Sequence, residues 1–284
     1  MGSTAESPAL SHKATLEVEG CQLSFVIRGG GPPVVLIQGV GVHGSGWDPQ
    51  VEFLSQKYTC LTFDNRGIGE SQPPGAPLTI DRMARDTAAL MDHLGWASAH
   101  VVGHSMGGPI ALQLALEFPQ RVKSLSLLCT SANGADLTKL SLEMLWLGMR
   151  TRIGSRRMRR LAFLEIVMPD TYLKDADRVQ VAKDLARLFG HDLGDTPAIV
   201  MKQLRALRSF NAMDRLHELG AIPTLVVSAP HDRIAKPNFG KALARGVLGA
   251  LYVEIPEAAH GVTIQRAPDI NALLDQHFSK ATLR

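Results

Sequence analysis

An apolar run, a tight turn and a helical pattern follow one another in His100-Val101-Val102-Gly103-His104-Ser105-Met106-Gly107-Gly108. The turn has the pattern G-x-S-x-G, and the helical pattern continues to Glu117. A serine at such a junction is held in a strained conformation, with its hydroxyl exposed at the N-terminus of the helix. The glycines beside it let neighbouring backbone pass where a Cβ atom would clash. We therefore predict that Ser105 is a nucleophile rather than an ordinary turn serine.

Strand and helix patterns alternate on both sides of this junction. Continuous apolar runs, which are typical of strands buried on both faces, lie at 34–37, 58–63, 100–102, 122–129, 222–227 and 251–255. Helical patterns lie at 80–94, 106–117, 236–246 and 269–278. A half-exposed hairpin pattern at 14–19 and 22–28 precedes them. This order predicts an α/β fold with a mostly parallel sheet and helices on both faces.

The alternation stops near residue 133 and resumes near residue 217. Between these points the helical patterns 140–150, 155–167, 176–189 and 198–208 occur without a convincing strand. We predict a core domain of residues 13–132 and 217–284, interrupted by a helical cap at 133–216. Residues 1–12 are polar and are predicted to be a flexible leader.

A nucleophilic serine needs a histidine as base and an acid that orients the histidine. After a G-x-S-x-G turn of this kind, the acid precedes the histidine along the chain. Asp232 and His260 fit this order, and each lies in the loop after an apolar run, at the sheet edge where open α/β sheets place their sites. His231 precedes the acid, and Asp214 and Glu257 lack the position directly after a strand. We therefore assign the acid to Asp232 and the base to His260.

Two backbone N–H groups are expected to bind the negative oxygen that forms during attack on a carbonyl. One comes from Met106, which follows the nucleophile, and the other from the loop after the first parallel strand, Gln38-Gly39-Val40-Gly41. We assign the second donor to Val40, because the glycines on both sides permit a close approach. The alternative is His43-Gly44-Ser45, which lies farther from the end of the strand.

Composition excludes several classes of protein. With 284 residues, 45% hydrophobic and 20% charged, the chain is typical of a globular protein and not of a disordered one. There is no apolar run that could span a membrane, and the start of the chain lacks the pattern of a signal peptide. The three cysteines, Cys21, Cys60 and Cys129, show neither paired nor zinc-binding spacing, which fits a reducing cytoplasm. The glycines lack the spacing of a dinucleotide-binding loop.

The net charge of +3 is too small to indicate nucleic-acid binding, but it is unevenly distributed. Residues 136–215 contain 15 Lys and Arg against 10 Asp and Glu, which gives +5, and the remaining 15 and 17 give −2. Arginines cluster in a basic run at Arg150, Arg152, Arg156, Arg157, Arg159 and Arg160. Such a run could steer an anionic substrate or bind a membrane surface, although a solvated helix face is the more common explanation.

The chain resembles enzymes of the α/β-hydrolase fold, in particular serine esterases and lactonases with a helical cap. Besides the serine turn, Asp232 and His260, the resemblance rests on Leu36-Ile37-Gln38-Gly39, Trp47-Asp48-Pro49-Gln50 and Phe63-Asp64-Asn65-Arg66-Gly67-Ile68-Gly69-Glu70-Ser71. It covers most of the chain and is weakest in the cap. It implies an eight-stranded sheet, a cap over the mouth of the active site, and serine-dependent hydrolysis without a cofactor.

Two positions depart from the pattern of the family. Many members have His-Gly where this chain has Gln38-Gly39, which changes the polarity of the pocket. Carbon–carbon bond hydrolases often have Asn where this chain has His104, so C–C bond hydrolysis stays a lesser alternative, as does cofactor-free perhydrolase or haloperoxidase activity. A serine at 105 rules against dehalogenase and epoxide hydrolase chemistry, which use an aspartate. A non-catalytic binding protein is disfavoured because no member of the triad is missing.

We therefore predict a carboxylesterase, a serine hydrolase that forms an acyl-enzyme on Ser105 from a small to medium apolar ester or lactone. Candidate residues of the substrate pocket are Gln38, Trp47, His104, Leu145, Trp146 and Met149. We expect no cofactor, no metal, no nucleic-acid partner and no membrane span, in a cytoplasmic monomer or homodimer.

Overall fold

The described residues form eight strands in one sheet. A computed structural model describes residues 11–75, 77–139 and 141–282. The strands are β1 Ser11–Val18, β2 Cys21–Arg28, β3 Pro33–Ile37, β4 Thr59–Phe63, β5 Ala99–His104, β6 Val122–Leu128, β7 Thr224–Ser228 and β8 Leu251–Glu254. They are ordered β1-β2-β4-β3-β5-β6-β7-β8. The pairs from β1 to β4 are antiparallel and those from β4 to β8 are parallel, which confirms the predicted sheet.

The helices of the core domain cover both faces of this sheet. They are α1 Asp48–Leu54, α2 Ile80–His93, α3 Gly107–Glu117, α10 Pro237–Gly246, α11 Val262–Gln265 and α12 Ala267–Thr282. The chain moves one way along the sheet from β3 to β4 and back from β4 to β5, so right-handed crossovers place α1 and α2 on opposite faces. On these faces α1 packs against α12, and α2 packs against α3.

The remaining helices form the insertion between β6 and β7. They are α4 Gly134–Thr138, α5 Leu142–Arg150, α6 Arg156–Val167, α7 Asp170–Asp175, α8 Arg178–Phe189 and α9 Val200–Arg208. Helices α5 to α8 share a small apolar core that includes Leu147, Leu164 and Leu185. By contrast, Leu137 of α4 and Leu207 of α9 pack into the apolar core of the sheet. We call residues 133–216 the cap. Its outer part consists of helices α5 to α8, which share their own apolar core.

The elements follow from local sequence in most places. Strand β3 is almost wholly buried, as its unbroken apolar run predicts. Helix α2 begins where the Thr79 side chain accepts a hydrogen bond from the Arg82 N–H, which satisfies one of the free donors at the helix start. Sequence pattern does not reveal α1, because this short helix shows no periodic apolar face. None of the described helices is both long enough and apolar enough to cross a bilayer.

Of the predicted leader, residues 1–12, the first ten lie outside the described residues. Its last two residues, Ser11 and His12, belong instead to β1, where Ser11 pairs with Arg28 and His12 with Ile27. The ladder to β2 therefore begins earlier than the alternation of apolar and polar residues indicates.

Candidate active site

Ser105 lies in the turn between β5 and α3 with a backbone φ of +54°, in the left-handed region that non-glycine residues rarely adopt. The turn is closely packed. A Cβ atom on Gly107 would lie 2.1 Å from the carbonyl oxygen of Ile37, and one on Gly103 would lie 2.2 Å from that of Gly107. Only glycine fits at either position, which explains the G-x-S-x-G pattern physically. The strained serine backbone directs its side chain out of this packed turn, toward the loops that follow the neighbouring strands.

The structure brings the three predicted catalytic side chains together. The Ser105 Oγ lies 3.0 Å from the Nε2 of His260. The Nδ1 of the same ring lies 2.8 Å from the Oδ2 of Asp232. Asp232 follows β7 and His260 follows β8, so both reach Ser105 from the carboxyl edge of the parallel strands. This is the geometry in which a histidine can take a proton from a serine while a carboxylate fixes the ring.

Asp232 is held as a carboxylate although it is only 4% exposed. Its other oxygen, Oδ1, accepts hydrogen bonds of 2.8 Å from the N–H groups of Ile234 and Ala235. Burial alone would raise the pKa of Asp232, but its charge interaction and hydrogen bond with His260, together with these N–H groups, hold the pKa below the usual range. An ionised Asp232 accepts a hydrogen bond from the Nδ1–H of His260, which keeps the proton on Nδ1 and leaves Nε2 free to receive the serine proton.

His104 packs against His260 and hydrogen-bonds to its backbone. Its Nε2 lies 2.9 Å from the backbone carbonyl oxygen of His260, and the two rings are 4.9 Å apart. Burial and the neighbouring His260 lower the pKa of His104 to about 3, so this ring is neutral. Because a carbonyl oxygen only accepts hydrogen bonds, the proton of the neutral ring is on Nε2. His104 therefore anchors the backbone of the loop that carries His260.

The loop after β3 approaches the serine closely. A Cβ atom on Gly39 would lie 2.9 Å from the Cβ of Ser105, so glycine is required there too. The Gly39 N–H donates to the Oε1 of Gln38, and the Gly41 N–H donates to the Oε1 of Gln203. Among the described residues, neither the N–H of Val40 nor that of Met106 has an acceptor. Both predicted oxyanion donors are thus without an acceptor among the described residues.

Hydrogen bonds from the stretch Asp64–Ser71 hold this loop in place. Sequence reasoning does not assign this role to the stretch. The Asn65 Nδ2 donates to the carbonyl oxygen of Gln38 at 3.0 Å, and the Gly44 N–H donates to the Oδ1 of Asp64 at 2.8 Å. The next residue, Arg66, is fully buried and makes a two-pronged ion pair with Asp86 at 2.5 and 2.6 Å. These contacts fix the stretch to α2 and to the loop after β3.

The predicted pocket residues fall into two groups. Gln38, Trp47 and His104 are buried beside the site, and the Trp47 ring meets the His104 ring edge-on at 6.3 Å. Leu145, Trp146 and Met149 lie on α5 and are 47%, 60% and 42% exposed. The second group therefore forms an exposed apolar face on the cap rather than the wall of a closed cavity.

The cap is tied to both loops that carry the triad partners. Arg233 donates to the Oε1 of Glu143 and the Oδ2 of Asp170, each at 2.8 Å, and to the carbonyl oxygen of Glu165 at 2.5 Å. One residue after His260, the Gly261 N–H donates to the carbonyl oxygen of Val167 at 2.7 Å. Sequence reasoning does not identify Arg233, because its partners lie far away along the chain. These contacts place the cap above the carboxyl edge of the sheet.

Most of the basic run is neutralised within the cap. Arg150 pairs with Glu165 at 2.5 Å. Arg156 pairs with Asp195 at 2.9 Å, Arg159 lies 4.0 Å from the same carboxylate, and Arg160 pairs with Asp192. Within the described ranges, only Arg152 and Arg157 of the run lack a carboxylate partner. The run mainly joins α6 to α5 and to the loop after α8, which favours the structural explanation over steering.

In the part of the chain that the structure describes, no group of three or more His, Cys, Asp or Glu side chains is arranged to hold a metal ion. The cysteines Cys21, Cys60 and Cys129 are buried and free.

Known proteins resemble the chain over most of its length. Residues 32–267 match the family described as alpha/beta hydrolase fold. The chain is 28% identical over 256 residues to "Putative carbamate hydrolase RutD" of Azorhizobium caulinodans, covering 89% of this chain and 93% of that one. It is 30% identical over 271 residues to "Putative non-heme bromoperoxidase BpoC" of Mycobacterium tuberculosis, covering 90% and 97%. The structure of an enol-lactonase from Burkholderia xenovorans superimposes with a TM-score of 0.78 at 28% identity, covering 94% and 100%. Since the family match spans strands β3 to β8, the cap and all three clustered side chains, the chain belongs to the α/β-hydrolase fold family.

Proposed function

We propose that the protein is a serine hydrolase that cleaves a carboxylic ester or lactone of a small to medium apolar substrate. The observation that carries the proposal is the unbroken chain of contacts from Ser105 Oγ to His260 Nε2, 3.0 Å, and from His260 Nδ1 to Asp232 Oδ2, 2.8 Å. The serine at the start of this chain is presented by a strained turn, as a nucleophile requires.

The reaction follows from these contacts. His260 Nε2 takes the Ser105 proton as Oγ bonds to the ester carbonyl carbon, and the carbonyl oxygen becomes negative. The Val40 and Met106 N–H groups bind that oxygen, an interaction worth ~3 kcal/mol of barrier for each donor. His260 then gives its proton to the leaving alcohol and an acyl-enzyme remains. Water, deprotonated by His260, attacks the acyl group, releases the acid and restores the serine.

Esters and lactones are favoured by two observations. An oxyanion site built from backbone N–H groups suits any activated acyl carbonyl, and a solved relative of closely similar structure is an enol-lactonase. The exposed apolar side chains of α5, next to the cap's own core, provide a surface suited to an apolar acyl or alcohol group. Carbamates share the same acyl carbonyl, and the relative named as a carbamate hydrolase makes them a necessary part of any substrate panel.

Replacing Ser105 with Ala tests the proposal. We expect hydrolysis of p-nitrophenyl acetate and of longer p-nitrophenyl esters to fall about 10⁴-fold or more in kcat, because the nucleophile is lost. Labelling by a fluorophosphonate should disappear in the same variant. The exposed Ser209, replaced with Ala, is a matched control that should keep full activity. A folded S105A variant with undiminished turnover would refute the proposal.

Perhydrolysis is a second candidate because one relative is named as a non-heme bromoperoxidase. In this reaction hydrogen peroxide replaces water in the attack on the acyl-enzyme and releases a peracid, which then oxidises bromide. The measurement is bromination of a phenol by the wild-type protein in acetate, bromide and hydrogen peroxide. Absence of bromination, in protein that hydrolyses esters, would remove this candidate.

A further inference from the structure

We call residues 38–41, which carry the Val40 N–H, the oxyanion loop. Hydrogen bonds from the cap hold this loop at Gly41. The Gly41 N–H donates to the Oε1 of Gln203 on α9, at 2.9 Å. The Gly41 carbonyl oxygen lies 3.0 Å from the Nε2 of His191, which follows α8. Both polar groups of Gly41 therefore have partners that belong to the cap and not to the core domain.

Gln203 is fully buried, and its orientation is determined by its partner. An amide N–H can only donate, so the side-chain oxygen must face Gly41 and the Nε2 must point away. Among the described residues this Nε2 has no hydrogen-bond partner. Leaving a buried polar atom without a partner is energetically costly. A glutamine at this position is thus unfavourable as plain packing, and its contribution is the acceptor that it offers to Gly41.

Together, four contacts fix the backbone on both sides of Val40. The Gln38 carbonyl oxygen is held by Asn65, and the Gly39 N–H by the side chain of Gln38. The Gly41 N–H and carbonyl oxygen are held by Gln203 and His191. In the described part of this loop, the Val40 N–H stays without an acceptor. Anchors before and after it fix its direction, and an oxyanion donor stabilises the transition state only when it is aimed in advance.

We propose that Gln203, with His191, positions the Val40 N–H for the oxyanion, so that the cap completes the oxyanion hole. The inference rests on the proposed serine hydrolysis and adds a role for two cap residues in it. Both are positioning residues, because their contacts are with the backbone of the loop. Loss of either anchor lets the Val40 peptide rotate, which weakens binding of the transition state more than binding of the ester.

The test is the variant Gln203→Leu, which keeps the approximate volume and removes the acceptor. We expect kcat for a p-nitrophenyl ester to fall about 10- to 100-fold, less than the ~10²- to 10³-fold lost when a donor is removed outright. KM should stay within about 2-fold, and the inhibition constant of an alkylboronic acid, which forms a tetrahedral adduct on the serine, should rise by about the same factor as kcat falls. The matched control is Gln180→Leu on the exposed side of α8, which should behave as wild type.

A conservative variant separates the acceptor from packing. Gln203→Glu keeps an oxygen at the same place and should recover most of kcat. An unchanged kcat in folded Q203L, a change in KM alone, or an equal loss in Q203L and Q203E would each overturn the inference. If Q203L does not fold, the partly exposed His191→Leu takes its place, and an unchanged kcat there would overturn the inference too.

The serine variant distinguishes failure of the positioning role from failure of the proposed function. If S105A is inactive while Q203L is fully active, only the positioning role fails. If S105A retains turnover, the proposed function itself fails, whatever Q203L does.

Discussion

His100 and His104 are buried histidines on β5, and burial keeps both rings neutral. The pKa of His100 is lowered to about 4 and that of His104 to about 3, in each case mainly by loss of hydration. The unfolded chain binds protons on both rings near pH 6.5, whereas the folded chain does not. Folding stability is therefore complete above about pH 6.5 and is lost as the pH falls toward the lowered values.

Replacing His100 with Asn should remove part of this acid sensitivity. An asparagine can keep the 2.8 Å contact that the His100 Nδ1 makes with the Ser124 Oγ, but it does not titrate. Between about pH 7.5 and about pH 5, His100 should account for about 2 kcal/mol of the wild-type loss in unfolding free energy. Urea denaturation at the two pH values measures the difference. The exposed His12→Asn, also on a strand, is the control, and an H100N variant with the wild-type pH slope would contradict the assignment.

The cluster of Ser105, Asp232 and His260 is readable from sequence, because each lies in the turn or loop after an apolar run and the three follow a fixed chain order. The position of Gln203 beside Gly41 is not readable from sequence. A glutamine on an amphipathic helix resembles any solvent-facing polar residue, and its partner lies 162 residues away along the chain. The contact of Asn65 with Gln38 is not readable from sequence either, although Asn65 lies inside a stretch on which the family resemblance rests. Sequence pattern thus reports which residues are buried or chemically special, but not which distant backbone group a polar side chain will meet.

At the scale of elements, strands are predicted well and short helices poorly. The run at 122–129 predicts β6 almost to the residue, because most of its side chains are buried in the sheet, although Lys123 is exposed. Helices α7 and α11 are a few residues long and have no room for a periodic apolar face. Their positions depend on tertiary packing, which local pattern does not contain.

The link between the cap and the Asp232 loop depends on Arg233. Replacing Arg233 with Leu removes its hydrogen bonds to α5, α6 and α7, so we expect the stability of these helices to fall by about 1–3 kcal/mol. Limited proteolysis should then cut within α5–α7 faster than in the wild type, while cleavage of the sheet domain stays the same. Arg215→Leu, which breaks an exposed pair with Glu218, serves as the control. Equal cleavage rates in R233L and wild type would show that the apolar core of the cap holds it in place unaided.

At the scale of the whole molecule, the basic cap should have little effect on substrate approach. Four of the six arginines of its basic run are paired with Glu165, Asp192 and Asp195. We expect kcat/KM for an anionic ester to change by less than about 2-fold between about 20 mM and about 500 mM salt, in parallel with a neutral ester. A steep fall for the anionic ester alone would instead indicate steering by Arg152 and Arg157.

The cap touches the core at the loop after β3, at Arg233 and at Gly261, each next to a part of the proposed machinery. Enzyme chimeras that exchange a cap between relatives treat that segment as a module for substrate choice. In this protein a crossover at residues 133 and 216 would also exchange the side chains at positions 191 and 203. A grafted cap would then alter turnover as well as substrate range, unless both side chains were carried over with their contacts to Gly41.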